Sequence, residues 1–436
     1  MQHLWKRRTQ LARRKALILG DPNSIFPGEL AAIWASYGIE VGIVTRYWTG
    51  CKSAQVPVFA SSEYETPLQR QALLLLQRQL ERLESVVIGR QRNRYERAMG
   101  GAQWYRPTFA SAVVNGLSIA RLVRSIRPDF ICGQEVSSYG LATAWCRGIP
   151  RILMPWGGDI FMYCDTTTIA SCLTTYALRR VDLVVTGAVS SIPYIQSRFG
   201  IERARIHYAG CWRLDRKQFQ RAPQDQRKKI CEKFGFAPEN LIIMNVRRFW
   251  PGWGSDVALE AFLWFAAREP DAHFVLLGGA GTESHMAAAR QRVRAEGLSD
   301  RFVILDGYQP LAVCAKLMSV ADVFVSLMQK RDMRSASVLQ AAAAGGAPVV
   351  SDQEEYRCME RDGFSALFVD AEDVTSVVNA LQKYARNPEL RDRTLVANQA
   401  YLTTHENGDF QVRQLLQRVE DICDDYRLRQ LTMGYR

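Results

Sequence analysis

Short apolar runs alternate with longer amphipathic stretches along the whole chain. ALILG (16–20), IEVGIVT (39–45), PDFICG (128–133), the run RILM before Pro155 and VDLVVTG (181–187) read as buried strands. Between them the spacing predicts helices at about 27–37, 109–126, 138–147, 169–179 and 190–199. From Leu241 onward the same order resumes. LIIMNV, HFVLLG, RFVIL, ADVFVS and APVV read as strands, with helices at about 255–268, 311–320, 374–385, 388–404 and 410–428, while 354–370 reads as a turn and a short strand. Unbroken apolar runs of this length suit strands covered on both faces, as in parallel sheets. Strand–helix alternation throughout predicts an α/β protein with two doubly wound, Rossmann-like halves.

The polar, basic tract Asp215 to Lys229 is the best boundary between the halves. The expected division is a first domain over 1–215 with a helical insertion at about 67–97, a linker over 216–238, a second domain over 239–408, and a last helix over 409–436 that returns to the first domain. The insertion reads either as an amphipathic helix packed on its domain or as a lip over an acceptor surface.

Composition narrows the class. With 436 residues and 47% hydrophobic content the chain can bury more than one core. No apolar run approaches the ~20 residues of a membrane helix, and neither a signal peptide nor a spanning segment is expected. Ten scattered cysteines without a C-x-x-C read as reduced thiols in a cytoplasmic protein. Five histidines lack metal-ligand spacing, so no metal site is expected. The net charge of +12 favours anionic partners. Basic and aromatic residues do not interleave as in an RNA or DNA module, so nucleic acid is not among those partners. The leader with Lys6, Arg7, Arg8, Arg13, Arg14 and Lys15 is either solvated or laid on an anionic bilayer, the latter giving a peripheral location on the inner face of the membrane.

Candidate chemistry gathers in loops after strands. The stretch 326–351, SLMQKRDMRSASVLQAAAAGGAPVVS, joins a buried strand to a charged loop and a small-residue helix. Either Ser335 or Ser337 is placed to cap that helix, whose N-terminus is a ready anion site. Glycine turns at Gly157–Gly158 and at Gly278, Gly279 and Gly281 let backbone N–H groups approach a phosphate or sugar. Arg247 and Arg248 follow a central strand, where a guanidinium suits a diphosphate. Asp332 and Asp159 are the acids of these loops, each read equally as a helix cap or a ligand contact. The chain lacks G-x-x-x-x-G-K-[ST], G-x-S-x-G and an N-terminal G-x-G-x-x-G, which argues against P-loop, hydrolase and dinucleotide-oxidoreductase chemistry.

Taken in order, these segments resemble the GT-B retaining glycosyltransferases of family 4. PWGGDIF (155–161) is similar to the family's W/H-G-x-D loop, and IHYAGCWRLDRKQF (206–219) to the segment leading into its linker. VRRFWPGWGSDVALEAF (246–262) resembles V-G-R-x(n)-K-G-x-D-x-x-x-x-A-F, and VLLGGAG (275–281) the V-x-G-x-G turn. DMRSASVLQAAAAGGAPVVSD (332–352) resembles the acid-x7-acid block. The resemblance implies GT-B architecture with an interdomain cleft, a UDP- or GDP-linked sugar as donor substrate, and a carbohydrate or lipid-linked acceptor. It implies no cofactor and no metal. It places Asp332 on the donor sugar and Arg248, helped by Arg247, on the diphosphate. Gly279, Gly281, Arg334, Ser335, Ala336 and Ser337 fall around the donor, Gln340 on the ribose, and Gly157, Gly158 and Asp159 on the acceptor side. Two positions depart from the pattern: Gln340 stands for the second acid and Trp253 for the lysine before the glycine. These substitutions motivate a second expectation, a catalytically weak or silent glycosyltransferase-like binding subunit.

Overall fold

The computed structural model describes residues 14–434 apart from 23, 47–55, 92–108, 212–213, 250–252, 280–281, 308 and 330–334. Two compact units divide the chain, one formed by residues up to Ala209 together with those from Phe410, the other by Gly210–Asp409.

The first unit is built on seven parallel strands: β1 (Lys15–Leu19), β2 (Glu40–Thr45), β3 (Val58–Ala60), β4 (Phe130–Gln134), β5 (Arg151–Met154), β6 (Leu183–Thr186) and β7 (Ile206–Tyr208). Their order is β3-β2-β1-β4-β5-β6-β7. β1 lies in the middle, Leu17 pairing with Gly42 on one side and Ile131 on the other. Its apolar residues are completely buried, as helices on both faces of a parallel sheet require. The two edge strands, β3 and β7, are three residues each and escaped the sequence reading.

The helix Phe109–Ile126 has the length and a mean hydropathy, 1.2, that a membrane span would also show. Here 56% of it is buried inside the unit, with Ile119, Leu122 and Val123 in the core beside Leu17 and Ile131. The long helix Gly408–Gly434 presents Val412, Leu415, Leu416, Val419 and Cys423 at helical spacing and buries them in this unit. Its charges are tied there as well. Arg14 pairs with Glu420 and, at 2.9 Å, with Asp424, while the Tyr426 hydroxyl donates to Asp182 at 3.0 Å.

The second unit has six parallel strands: β8 (Leu241–Val246), β9 (Ala272–Leu277), β10 (Phe302–Leu305), β11 (Val323–Ser326), β12 (Ala347–Ser351) and β13 (Leu367–Val369), in the order β10-β9-β8-β11-β12-β13. Alternate residues of β8 feed opposite cores, Ile242 and Met244 one layer and Ile243 the other. The segment expected as a linker, 216–238, belongs to this unit. It contains the helix Gln224–Phe234, and Phe219, Cys231 and Phe236 enter the core beside Met318 and Phe324. Its charged outer face hid three anchoring side chains from a reading based on composition.

Nine cysteines lie among the described residues and all are free thiols.

One buried acid links two helices of the first unit. Glu84, on the helix Pro67–Arg90, accepts the Phe109 N–H at 3.2 Å and so caps the helix Phe109–Ile126. Burial pushes its carboxyl up to about 7 from 4.5, against the opposing pull of the Phe109 and Ala110 N–H groups. The folded state therefore holds this proton more tightly than the unfolded chain, and its contribution to stability falls as pH rises from about 4.5 to about 7. Glu84→Gln keeps the acceptor and removes the charge. We expect it to match wild type in urea unfolding near pH 5 and to exceed it near pH 8 by ~2 kcal/mol. Parallel pH profiles for the two proteins would contradict this.

Candidate functional site

In the second sheet the chain leaves β8 toward β9 on one side, while β11 lies on the other, so the strand order reverses between β8 and β11. Open parallel sheets leave a crevice at such a point, beyond the carboxyl ends of the strands. Arg247 and Arg248 follow β8 directly, Gly278 and Gly279 follow β9, and the loop after β11 runs to Ser335 at the start of the helix Ala336–Ala343. Five donor-side residues of the sequence reading, Arg247, Arg248, Gly279, Ser335 and Ser337, thus come to one end of one sheet. Asp332, Arg334 and Gly281 lie outside the described residues.

The loops are held by close backbone contacts. Phe249 N–H donates to Gly278 O at 3.0 Å, joining the β8 and β9 loops. Gly279 has φ +76 and lies against Arg248; a Cβ there would sit 3.7 Å from the Arg248 Cα. Gly254, with φ +73, meets the loop after β11. A Cβ on it would fall 2.5 Å from the Cβ of Leu327 and 3.2 Å from its carbonyl carbon. Both the backbone angle and the space demand glycine.

The two arginines differ in setting. Arg248 is solvent-exposed, and the protein around it lowers its pKa from the ordinary guanidinium value by desolvation. Arg247 is buried, its guanidinium 4.8 Å from the ring centroid of Trp253. Trp253 therefore holds Arg247 by a cation–π contact.

The helix Ala336–Ala343 begins without a side-chain cap. Ser335 occupies the N-cap position, but its hydroxyl pairs with that of Ser337 at 2.7 Å. The Ser335 N–H donates instead to the Tyr356 hydroxyl at 3.3 Å. Tyr356 is fully buried, which raises its pKa, while the Arg247 charge acts the other way. Neither Tyr356 nor its helix, Glu354–Arg361, was read from the sequence, which showed a turn there. The available signal was Tyr356 and Met359 at i and i+3, both buried. Gln340, 5% exposed, follows Ala336 and Ser337 by four and three residues and shares their helix face.

The first unit has its own order reversal, between β1 and β4. Asp159 stands after β5, and its Oδ1 accepts the N–H groups of Trp156, Gly157 and Ile160 at 3.0, 2.9 and 3.0 Å. Its Oδ2 accepts Val136 N–H at 2.7 Å, at the start of the helix Val136–Trp145. At 1% exposure this carboxylate is engaged by the backbone N–H groups of its own loop and of the helix start at Val136. Burial and the nearby Glu135 push its carboxyl up to about 7, while the Val136, Gly157 and Trp156 N–H bonds pull it down. Gly157, with φ 110, and Gly158 shape the same turn. Trp156 above them donates its indole N–H to Gln134 at 3.0 Å and lies 4.5 Å from the Phe26 ring.

Glu135 was overlooked. It follows β4 with φ 67 and ψ 120, a strained setting for a side-chain-bearing residue, and accepts the hydroxyls of Ser137 and Ser138 at 2.7 and 2.9 Å. Its signal was an acid followed two and three residues later by serine. Among the described residues no three His, Cys, Asp or Glu side chains group as metal ligands.

Comparison with known proteins bears on the fold. HepE from Anabaena, solved with UDP and glucose, superposes with a TM-score of 0.68 at 14% identity, covering 94% of this chain and 100% of its own. Sucrose-phosphate synthase from Thermosynechococcus elongatus does so at 0.68 and 15%, with the same 94% and 100% coverage. At such identities the likeness concerns the fold: two parallel-sheet α/β domains of the GT-B class. Residues 226–399, within the second unit, match the family model Glycosyl transferases group 1. Mannosylfructose-phosphate synthase from Agrobacterium fabrum is 24% identical over 220 residues, 49% of this chain. The match spans 47% of that relative, about half its length.

Gly254→Ala tests the packing of the β8 and β11 loops. It is expected to destabilise the second unit by ~3 kcal/mol, from overpacking and an unfavourable φ combined. Chemical unfolding at an unchanged m-value is the check, and a loss below ~1 kcal/mol would show that the Leu327 loop yields freely.

Proposed function

We propose that the chain is a retaining glycosyltransferase that moves a hexosyl unit from a UDP- or GDP-linked sugar to a carbohydrate or lipid-linked acceptor. The observation that carries this reading is the meeting of Arg247, Arg248, Gly279 and the uncapped start of the helix Ala336–Ala343 at the strand-order reversal of the second unit, which holds the group 1 match. Cations and unclaimed helix N–H groups suit a diphosphate whose negative charge grows as the glycosidic bond breaks.

In this reading Arg248 meets the diphosphate from the exposed side of the crevice, and Arg247, held by Trp253, supplies the second charge that a lysine gives elsewhere. Asp332 orients the sugar and Gln340 bonds a ribose hydroxyl, losing the charge assistance of a carboxylate, worth ~1 to 2 kcal/mol. The leaving phosphate oxygen takes the acceptor proton on the face from which it departs, so the reaction proceeds with retention and without a protein nucleophile. With this positive charge supplied by the chain, the mechanism runs without a divalent metal. HepE was solved in complexes with UDP and with UDP-glucose, which supports a nucleotide-sugar donor for this chain.

The decisive experiment is a transfer assay over a panel of UDP- and GDP-sugars, with product stereochemistry read by NMR. Arg248→Ala is expected to lower kcat about 10²- to 10³-fold, as loss of one transition-state charge contact does. Asp332→Ala is expected to fall as far, with folding unchanged. Unaltered turnover in both variants would refute the site. Nucleotide-sugar binding by calorimetry with no transfer to any acceptor would favour the silent binding subunit that Gln340 suggests.

A further inference from the structure

The helix Pro67–Arg90 carries apolar side chains on two separate faces. One face, with Leu73, Gln77, Leu80, Glu84 and Val87, turns inward, and Glu84 caps the neighbouring helix. A second face, about 120° round the helix, stands in solvent: Leu68 is 77% exposed, Leu75 53%, Leu83 51% and Val86 50%. At 3.6 residues per turn, Leu68, Ala72, Leu75, Leu83 and Val86 form one stripe along the outer side, interrupted by Gln79. Arg78, Arg82 and Arg90 flank it, all exposed, and Glu81 is the one exposed acid of the helix.

Isolated exposed leucines are ordinary, but a stripe about five turns long is not. We propose that this face docks on the surface of an anionic lipid bilayer. A helix lying in the interface buries leucine and valine among the acyl chains, while arginines beside them extend to lipid phosphates. Charge selects this occupant over a second copy of the chain. Self-pairing would set a stripe carrying three arginines and one acid against its like, whereas an anionic surface attracts each arginine. The docking does not rest on the glycosyl-transfer reading, and it uses an element distinct from the basic leader.

Flotation of the full-length protein with vesicles of phosphatidylcholine alone, or mixed with phosphatidylglycerol, tests the assignment. The protein is expected to float with the mixed vesicles, to stay in solution with the neutral ones, and to be released as salt is raised. Arg78→Glu/Arg82→Glu is expected to weaken binding by more than about tenfold, and Leu75→Glu/Val86→Glu to abolish it. All four positions are exposed, so both variants should melt as wild type does. A third variant, Lys6→Ser/Arg7→Ser/Arg8→Ser, separates the leader from the helix and should retain most of the binding. The proposal fails if wild type ignores both vesicle types, if it binds neutral vesicles equally, or if only the leader variant loses binding. It also fails if wild type is a dimer by light scattering that Leu75→Glu/Val86→Glu dissociates, for then a second copy covers the stripe.

Discussion

The reversal of strand order at β8 and β11 is the constraint on which the candidate site depends. Chains leaving two adjacent parallel strands in opposite directions cannot cover the gap between them, and the backbone there must reach ligands or water. This protein brings the two loops close at their base, Gly254 against Leu327, while the helix Ala336–Ala343 starts with its hydroxyl cap diverted to a neighbouring serine. The same geometry therefore supplies both the opening and the donors that line it.

Positive charge in that opening is arranged through neighbours. The ring of Trp253 lies under Arg247, so an aromatic face holds this guanidinium. Planar guanidinium held on a ring loses less freedom when it meets a phosphate than a lysine stem does. Tyr356 completes the arrangement from beneath. Its hydroxyl receives the Ser335 N–H, and Arg247 is near enough to influence its ionisation. A buried tyrosine from the helix Glu354–Arg361 thus anchors the start of the helix Ala336–Ala343, a contact that no single motif contains.

Apart from the three-residue edge strands β3 and β7, the strands of both sheets were legible because their apolar runs are unbroken, and so were the positions of Arg247, Arg248, Gly278 and Gly279 directly after two of those runs. What escaped was structure whose signal lies in partners distant in sequence. The helix Glu354–Arg361 shows only two buried apolar residues, so its charged pattern read as a turn. Helix Gln224–Phe234 sits in a polar, basic tract, and its membership of the second unit rests on Phe219, Cys231 and Phe236 entering a core whose other members include Met318 and Phe324, far along the chain. Asp159 carried both readings, ligand contact and cap, at the sequence level. Its four N–H partners come partly from Val136, on another element, and only the folded chain brings that donor to it.

A helix with leucines on both faces has no intrinsic reason to bury one and not the other, and in Pro67–Arg90 the choice falls to its polar residues. Gln77 and Glu84 stand seven residues apart on the inward face, the first accepting from Arg46 at 3.3 Å and the second from the Phe109 N–H. A half-turn of the helix would strand both partners and bring Arg82 inward. Burying Glu84 costs stability above its pKa, so its value lies in selecting a rotation. That selection leaves Leu68, Leu75 and Val86 outside, and the apolar stripe on the surface follows from the polar pair beneath it.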